Sequence, residues 1–130
     1  MVNNMIKYTV QVDGDRTEWR LDGKLHRVDG PAIEYADGGA REWYLNGYLH
    51  REDGPAVEGA NGDKAWFLNG KHHREDGPAI EWADGTNEWC LHGWRVSEEQ
   101  FNQRTKTKEL TIAQLEEILG YKIKVIGERT

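Results

Sequence analysis

A tryptophan repeated at nearly constant spacing is the feature that most constrains this fold. The interval between successive copies is 24, 23 and 23 residues, and the copies are Trp19, Trp43, Trp66 and Trp89. Each interval also contains two Asx-Gly pairs besides the one within its Asp-Gly-Pro-Ala segment. Asx-Gly is typical of tight hairpin turns, and glycine at this frequency leaves no room for a helix. The sequence therefore predicts two short strands per interval, joined by turns.

The turns divide the chain into an antiparallel meander. One set of turns is Asp37-Gly38, Asn61-Gly62 and Asp84-Gly85, and the other set is Asp22-Gly23, Asn46-Gly47, Asn69-Gly70 and His92-Gly93. Residues 5–12 alternate like a first half-repeat before Asp13-Gly14. We predict a mainly β fold of about eight short strands built from 23-residue hairpin repeats.

The turns also predict a pairing register. A two-residue loop at Asp84-Gly85 places Ile80 opposite Trp89, and one at Asn61-Gly62 places Val57 opposite Trp66. A three-residue loop at 37–39 places Ile33 opposite Trp43 in the same way. One face would then carry the apolar residues Ile33, Trp43, Trp66, Ile80, Trp89 and Leu91. We expect strong curling of the sheet or a homodimer to cover that face.

The repeat pattern ends after Trp94, and helical signals follow. Ser97–Gln100 and Thr111–Gln114 both match a capping box, and Gly120 lies where a helix C-terminus is expected. Residues 121–126 alternate like a short strand. We assign 1–96 to the repeat array (half-repeat 1–14, repeats 15–38, 39–62 and 63–85, partial repeat 86–96). We assign 97–130 to a C-terminal cap, a helix and a short strand, with helix 111–119 packed on the apolar face.

Composition limits the classes of function. The 130 residues carry 17 Lys and Arg against 23 Asp and Glu, a net charge of -6, which disfavours nucleic acid and anionic lipid as direct partners. The one cysteine, Cys90, excludes an internal disulfide and a multi-cysteine metal site. Met1–Val10 has no secretory pattern and no apolar run is long enough to span a membrane. We expect one cytoplasmic domain.

Three His-Arg pairs, each followed closely by Asp-Gly-Pro-Ala, leave two interpretations open. The pairs are His26-Arg27, His50-Arg51 and His73-Arg74. As packing residues, the histidines would lie opposite the repeated tryptophans, and Arg27 and Arg51 would pair with Glu18 and Glu42 across strands. As a site, the pairs would bind a phosphate or another small ligand, or their histidines would hold a metal ion. Val96 at the fourth histidine position favours packing.

No catalytic residue, metal site or cofactor is predicted. The register places Glu34 opposite Glu42 and Glu81 opposite Glu88, but two copies of such a pair on a regular sheet indicate a scaffold rather than a catalytic pair. No phosphate-binding loop, zinc-protease motif or nucleophile elbow is present. We therefore expect that the protein is not an enzyme.

A specific binding site is better sought where the repeats differ. Trp94, Arg95 and His92 depart from the preceding turn, and they are the predicted partner-binding residues together with Tyr48. Trp82 is a further candidate anchor, because tryptophan and arginine are enriched where partners bind most strongly. Two alternatives stay open: Trp82 packs against the C-terminal helix, and Trp94 covers the junction with the cap.

The 23-residue period, with one hairpin per period and repeated aromatic and glycine residues as in Trp43–Ala56, resembles the MORN repeat family over residues 5 to about 96. The His-Arg and Asp-Gly-Pro-Ala additions look most like the MORN-variant proteins of tailed phages, large DNA viruses and bacteria. This resemblance implies a viral, non-enzymatic protein-binding module that inhibits or modulates a host protein, for instance an anti-phage defence component. The alternative is a protein that sequesters a small ligand or nucleotide signal with its repeated Arg, His and Trp side chains.

Overall fold

The computed structural model describes residues 7–106 and 110–124. Its strands are β1 (Tyr8–Asp13), β2 (Arg16–Leu21), β3 (Lys24–Leu25), β4 (Ile33–Tyr35), β5 (Arg41–Glu42), β6 (Tyr44–Leu45), β7 (Tyr48–Leu49), β8 (Val57–Glu58), β9 (Lys64–Ala65), β10 (Phe67–Leu68), β11 (Lys71–His72), β12 (Ile80–Glu81), β13 (Asn87–Leu91) and β14 (Trp94–Val96). The helices are α1 (Glu98–Thr105) and α2 (Ile112–Leu119). The predicted mainly β antiparallel meander is confirmed.

Each repeat changes its pairing partner at its tryptophan, a point we call the bend. The strands break at Trp43, at Trp66 and at the three Asp-Gly-Pro-Ala segments, which explains why 14 short strands replace the predicted eight or so. The Trp43 N–H donates to the Ala56 carbonyl at 2.7 Å, whereas the Trp43 carbonyl accepts from the His50 N–H at 3.0 Å. Trp66 bonds in the same way to Ala79 and His73, at 2.7 and 3.1 Å. The chain therefore leaves one row of hairpins and enters another at each tryptophan.

We call these two sets of hairpins the main row and the side row. The main row contains β4, β5, β8, β9 and β12, which lie in one 10-stranded sheet. The side row consists of the hairpins β2–β3, β6–β7, β10–β11 and β13–β14. Its two-residue turns have the predicted register, with Leu45 opposite Tyr48 and Trp89 opposite Val96. Positive φ at Asn46 (52°) and Gly47 (82°) is the conformation that Asx-Gly favours.

The predicted register of the main row is wrong by one residue. Ile33 lies opposite Glu42, Val57 opposite Ala65, and Ile80 opposite Glu88. The reason is the loop length. The turns at 60–62 and 83–85 hold three residues and end on a glycine with positive φ, whereas Asp37-Gly38 forms the two-residue turn. The opposed carboxylates therefore do not form: Glu34 pairs with Arg41, and Glu81 with Asn87.

The bend buries the apolar residues within a single chain. Ile33, Ile80 and Leu91 are buried, and so are the alanines of the three Asp-Gly-Pro-Ala segments, Ala32, Ala56 and Ala79. The carbonyl of each of these alanines accepts from the N–H of the tryptophan that precedes it in the chain, Trp19, Trp43 or Trp66. The bend therefore supplies the cover expected from curling. The homodimer stays a prediction.

The C-terminal segment corrects the predicted helix packing. Phe101 of α1 is buried, and its ring lies 4.7 Å from the ring of Trp89. No residue of α2 is buried, so the prediction that helix 111–119 packs on the apolar face is wrong. Both capping boxes are present, at Ser97 and Thr111.

The two ends of the chain are described only in part. The first half-repeat contributes β1, but residues 5 and 6 lie outside the described residues. Residues 121–124 form no strand, and the remainder of the predicted strand 121–126 is likewise outside them.

Candidate functional site

Each repeated arginine lies flat on the tryptophan of its own repeat. The guanidinium carbon is 4.1 Å from the ring centroid for Arg27 on Trp19, and 3.9 Å both for Arg51 on Trp43 and for Arg74 on Trp66. A cation over an indole face is attracted by the negative π face of the ring. This contact covers one side of each arginine with the chain's own aromatic surface.

The remaining side of each guanidinium is bonded within the chain. Arg51 donates from Nε to Asp53 at 3.1 Å, and from Nη1 to the Pro55 carbonyl at 3.0 Å and to Glu58 at 3.2 Å. Arg74 repeats this pattern with Asp76 and Glu81, at 2.8 and 2.9 Å. The predicted pairing of Arg27 with Glu18 and of Arg51 with Glu42 is therefore wrong. Both arginines turn instead toward the Asp-Gly-Pro-Ala loop that follows them.

The glycine of each Asp-Gly-Pro-Ala segment leaves space for the guanidinium. A Cβ added at Gly77 would lie 2.8 Å from Cζ of Arg74, and one at Gly54 would lie 3.0 Å from Cζ of Arg51. The motif is thus one packed unit of Trp, Arg, Asp, Gly and Pro. This unit accounts for the repetition of the His-Arg-x-Asp-Gly-Pro-Ala pattern without a ligand.

The repeated histidines connect neighbouring repeats. Nδ1 of His26 accepts from the Asn46 N–H at 2.9 Å, Nδ1 of His50 from Asn69 at 3.0 Å, and Nδ1 of His73 from His92 at 2.8 Å. The histidines lie opposite the repeated tryptophans, as predicted. Val96, whose side chain has no hydrogen-bond acceptor, occupies the equivalent position in the last repeat.

Two similar grooves lie between successive loops of this motif. One, of about 720 Å³, has Trp43, Leu45 and His50 in its lining, and the other, of about 610 Å³, has Trp66, Leu68 and His73. Carboxylates line both grooves, among them Glu52 and Asp53. The arginines beside them already donate to chain acceptors. The grooves are therefore poorly suited to a phosphate, whose binding needs unengaged donors.

The five predicted partner-binding residues fall into two groups. Tyr48, His92, Trp94 and Arg95 belong to the side row, whereas Trp82 lies beside a turn of the main row. The exposed fraction is 76% for Trp94, 61% for Tyr48 and 43% for Trp82. Trp82 is thus not buried against a helix, and Trp94 is not covered by the cap within the described residues.

The residue after each side-row turn covers the glycine of the next turn. A Cβ at Gly47 would meet Lys24 at 3.8 Å, and one at Gly93 would meet Lys71 at 3.5 Å. Tyr48 covers Gly70 more closely, at 3.1 Å. Trp94 is the next member of this series, and it covers no turn glycine among the residues that the structure describes. The sequence analysis identified Tyr48 and Trp94 but missed Lys24 and Lys71. All four residues directly follow the Gly of a side-row turn, so their common position in the sequence would have shown that they form one series.

His92 and Arg95 have different surroundings. The His92 ring lies 4.3 Å from the His73 ring, so it packs on the preceding repeat. The Arg95 side chain is 74% exposed, and Nη2 lies 3.7 Å from Glu88. Arg95 thus differs from the repeated arginines, whose guanidinium groups are held by several partners.

Burial lowers the pKa of His72 below its ordinary value of 6.5, because desolvation disfavours the imidazolium. Glu88 opposes this effect. Just below pH 6.5, the unfolded chain binds a proton at His72 and the folded chain does not. The free energy of unfolding therefore decreases as the pH falls through that value. His72→Phe, which can keep the ring contact with Phe67 at 4.0 Å, should gain stability relative to wild type between pH 7 and pH 5.

Urea unfolding of both proteins at pH 7 and pH 5 tests this expectation, since the other histidines are common to both. An NMR titration of the His72 ring provides the direct measurement. A midpoint at or above 6.5 would contradict it.

The described part of the chain has no group of three His, Cys, Asp or Glu side chains placed to hold a metal ion. No helix in that part combines the length and apolarity needed to cross a bilayer. Burial also raises the pKa of the Cys90 thiol, which keeps the sulfur protonated and unreactive. Comparison with protein-family models, with curated proteins and with solved structures finds no match.

Proposed function

We propose that this chain is a non-enzymatic protein-binding module whose partner is bound at the last side-row hairpin. The observation that carries the proposal is the exposure of Trp94, 76%, at the end of a series whose other members all cover a neighbouring turn. A tryptophan exposed to this extent beside an exposed arginine has the composition of a binding hot spot. Hairpin stability alone does not require it, because Lys24 and Lys71 serve at the same position.

The acidic balance of the chain supports a partner with a basic surface. The net charge is -6, and the loop carboxylates Asp29, Asp53 and Asp76 are largely exposed. Complementary charge speeds association and selects among partners. In keeping with the MORN-variant resemblance, we further propose that the partner is a host protein that this chain inhibits, in the cytoplasm of the host.

The alternative, a nucleotide-sequestering protein, rests on the two grooves lined by Trp and Arg. Both grooves carry carboxylates, and their arginine donors are engaged within the chain, so the geometry favours the protein partner. A thermal shift against a nucleotide panel separates the two functions. A ligand with micromolar affinity at millimolar concentration adds about 4 kcal/mol of apparent stability.

A capture experiment with host lysate tests the protein-binding function. Trp94→Ala should reduce the captured partner by at least about 10-fold, equivalent to about 1.4 kcal/mol or more. Lys71→Ala is the matched control, because it truncates the preceding member of the same series and should leave capture unchanged. Equal capture by wild type and Trp94→Ala, or a nucleotide-induced shift without any captured protein, would contradict the proposal.

A further inference from the structure

The side row is held together by a repeated set of contacts that stops at β14. At each junction the turn glycine donates its N–H to a carbonyl of the preceding hairpin: Gly47 to Leu25 at 2.8 Å, Gly70 to Leu49 at 2.8 Å, and Gly93 to His72 at 2.9 Å. The side chain one residue before that carbonyl covers the same glycine. Each hairpin thus receives the glycine turn of the next hairpin against its second strand.

The backbone of β14 presents the same acceptor. Leu91 and Trp94 close the two-residue turn and Trp89 faces Val96, so Arg95 occupies the position of Leu25 in its own hairpin. Residues alternate between bonded and non-bonded pairs in an antiparallel hairpin, which directs the Arg95 N–H and carbonyl away from Cys90. Among the described residues, no turn glycine donates its N–H to the Arg95 carbonyl.

Two further hydrogen bonds of a normal junction, one to the histidine Nδ1 and one from the arginine backbone N–H, are not made at this end of the described chain. Val96 replaces the histidine whose Nδ1 would accept from the next turn. In the preceding repeat, the Arg74 backbone N–H donates to the Cys90 carbonyl of the next hairpin at 3.4 Å. The equivalent N–H, of Ser97, donates instead to Gln100 Oε1 at 3.0 Å, at the start of α1. Phe101 covers Trp89 in the place of the stacked arginine. The main part of the last repeat is therefore closed by α1, whereas no residue within 7–106 or 110–124 closes the Trp94–Arg95 edge with a backbone hydrogen bond.

We propose that the partner, under the binding function proposed above, presents a β-hairpin with a glycine-containing tight turn that adds to β14 as the next hairpin of the side row. Its turn glycine lies under the Trp94 ring, and its N–H donates to the Arg95 carbonyl. The argument is continuity with the three existing junctions, which repeat this geometry within 0.1 Å in their glycine hydrogen bonds. The side-row hairpins β6–β7 and β10–β11 form separate two-stranded sheets, so the added hairpin is held by the turn-glycine bond and by the side chain that covers the glycine.

A second copy of this chain fits the edge less well than another protein. Two β14 strands related by a two-fold axis through Arg95 would place like charges opposite each other, which is destabilising. In a head-to-tail arrangement, a second copy would have to add its first hairpin, β2–β3, to β14. The strand β2 of that hairpin is already paired with β1, with Tyr8 opposite Leu21. The occupant is therefore a hairpin of a different protein.

The test uses the full-length chain and a defined probe. The probe is a cyclic peptide of residues 66–73, closed by a D-Pro-Gly turn, which reproduces the hairpin that packs on Tyr48 in the chain. Amide NMR titration should show the largest shifts at Trp94, Arg95 and Val96. Trp94→Ala should weaken binding of the probe at least 5-fold, and Trp94→Lys, with the residue found at 24 and 71, should recover part of that loss.

Arg95→Pro is the decisive variant. Proline is tolerated at an edge position whose N–H points outward, but its ring would occupy the outward side of β14, where the added turn must lie. We expect circular dichroism and melting temperature close to wild type and probe binding weakened at least 10-fold. Arg95→Ala, which removes the side chain but keeps the backbone edge, should weaken probe binding less than Arg95→Pro does. Equal probe binding by Arg95→Pro and Arg95→Ala would overturn the inference.

The same variants separate this inference from the proposed function. If Trp94→Ala abolishes partner capture while Arg95→Pro does not, the partner binds at Trp94 without adding a hairpin, and only the present inference fails. If neither variant changes capture, both proposals fail. Concentration-dependent dimers that Arg95→Pro abolishes would identify a second copy as the occupant and overturn the choice of partner.

Discussion

Replacing Trp66 with alanine should destabilise the protein by about 3–5 kcal/mol, the range for removing a large aromatic side chain from a packed site. Trp66 marks the bend between the two rows, with its N–H bonded to Ala79 and its carbonyl to His73. Its ring also supports Arg74, whose guanidinium carbon lies 3.9 Å from the ring centroid. The substitution therefore removes the apolar packing of the bend and the surface on which the arginine lies.

Trp94→Ala is the matched control for this prediction, because the two residues are of one type and differ in exposure. Trp94 is 76% exposed, so its removal should change the free energy of unfolding by less than about 0.5 kcal/mol. Urea denaturation followed by circular dichroism measures both values. Similar destabilisation by the two substitutions would show that Trp94 belongs to the packing of the cap, and the binding site proposed at the last hairpin would lose its basis.

Arg51→Ala should destabilise the protein by about 2–3 kcal/mol, an unusually large effect for an arginine near the surface. Most surface ion pairs contribute at most about 1 kcal/mol. Arg51 differs because it donates to the Pro55 carbonyl and Glu58 while lying on Trp43, with only 23% of its side chain exposed. Its loss leaves the Pro55 carbonyl without this donor, leaves Glu58 paired with Arg41 at 2.8 Å, and uncovers the indole face.

Arg51→Lys should recover less than half of that loss, because an ammonium group cannot lie flat on the ring and donate in a fork. Arg95→Ala, at an exposed arginine with one loose contact to Glu88 at 3.7 Å, is the matched control and should change stability by less than about 0.5 kcal/mol. If Arg51→Ala costs no more than Arg95→Ala, the repeated arginines are not structural. The ligand-binding interpretation of the His-Arg pairs would then regain support.

The sequence by itself determined the architecture of the array. Its Asx-Gly pairs have strong conformational preferences, so the antiparallel meander and the side-row register, including Trp89 opposite Val96, could be predicted from local chemistry. The two capping boxes could be predicted for the same reason. The departures from the repeat also led to the exposed Trp94, because a substituted position in a regular array is visible without any structure.

Only the tertiary structure decided the main-row register, the role of the His-Arg pairs and the position of the cap. A glycine after an Asx residue is compatible with both two-residue and three-residue loops, and the packing at the bend selects between them, so Ile80 faces Glu88 rather than Trp89. The arginine contacts depend on this bend, which turns Arg51 away from Glu42 and toward Asp53. Phe101, rather than α2, covers Trp89 in the place of the arginine that the last repeat lacks. Only the structure shows that this arginine normally lies on the indole face, so that its absence leaves the Trp89 ring to be covered by another side chain.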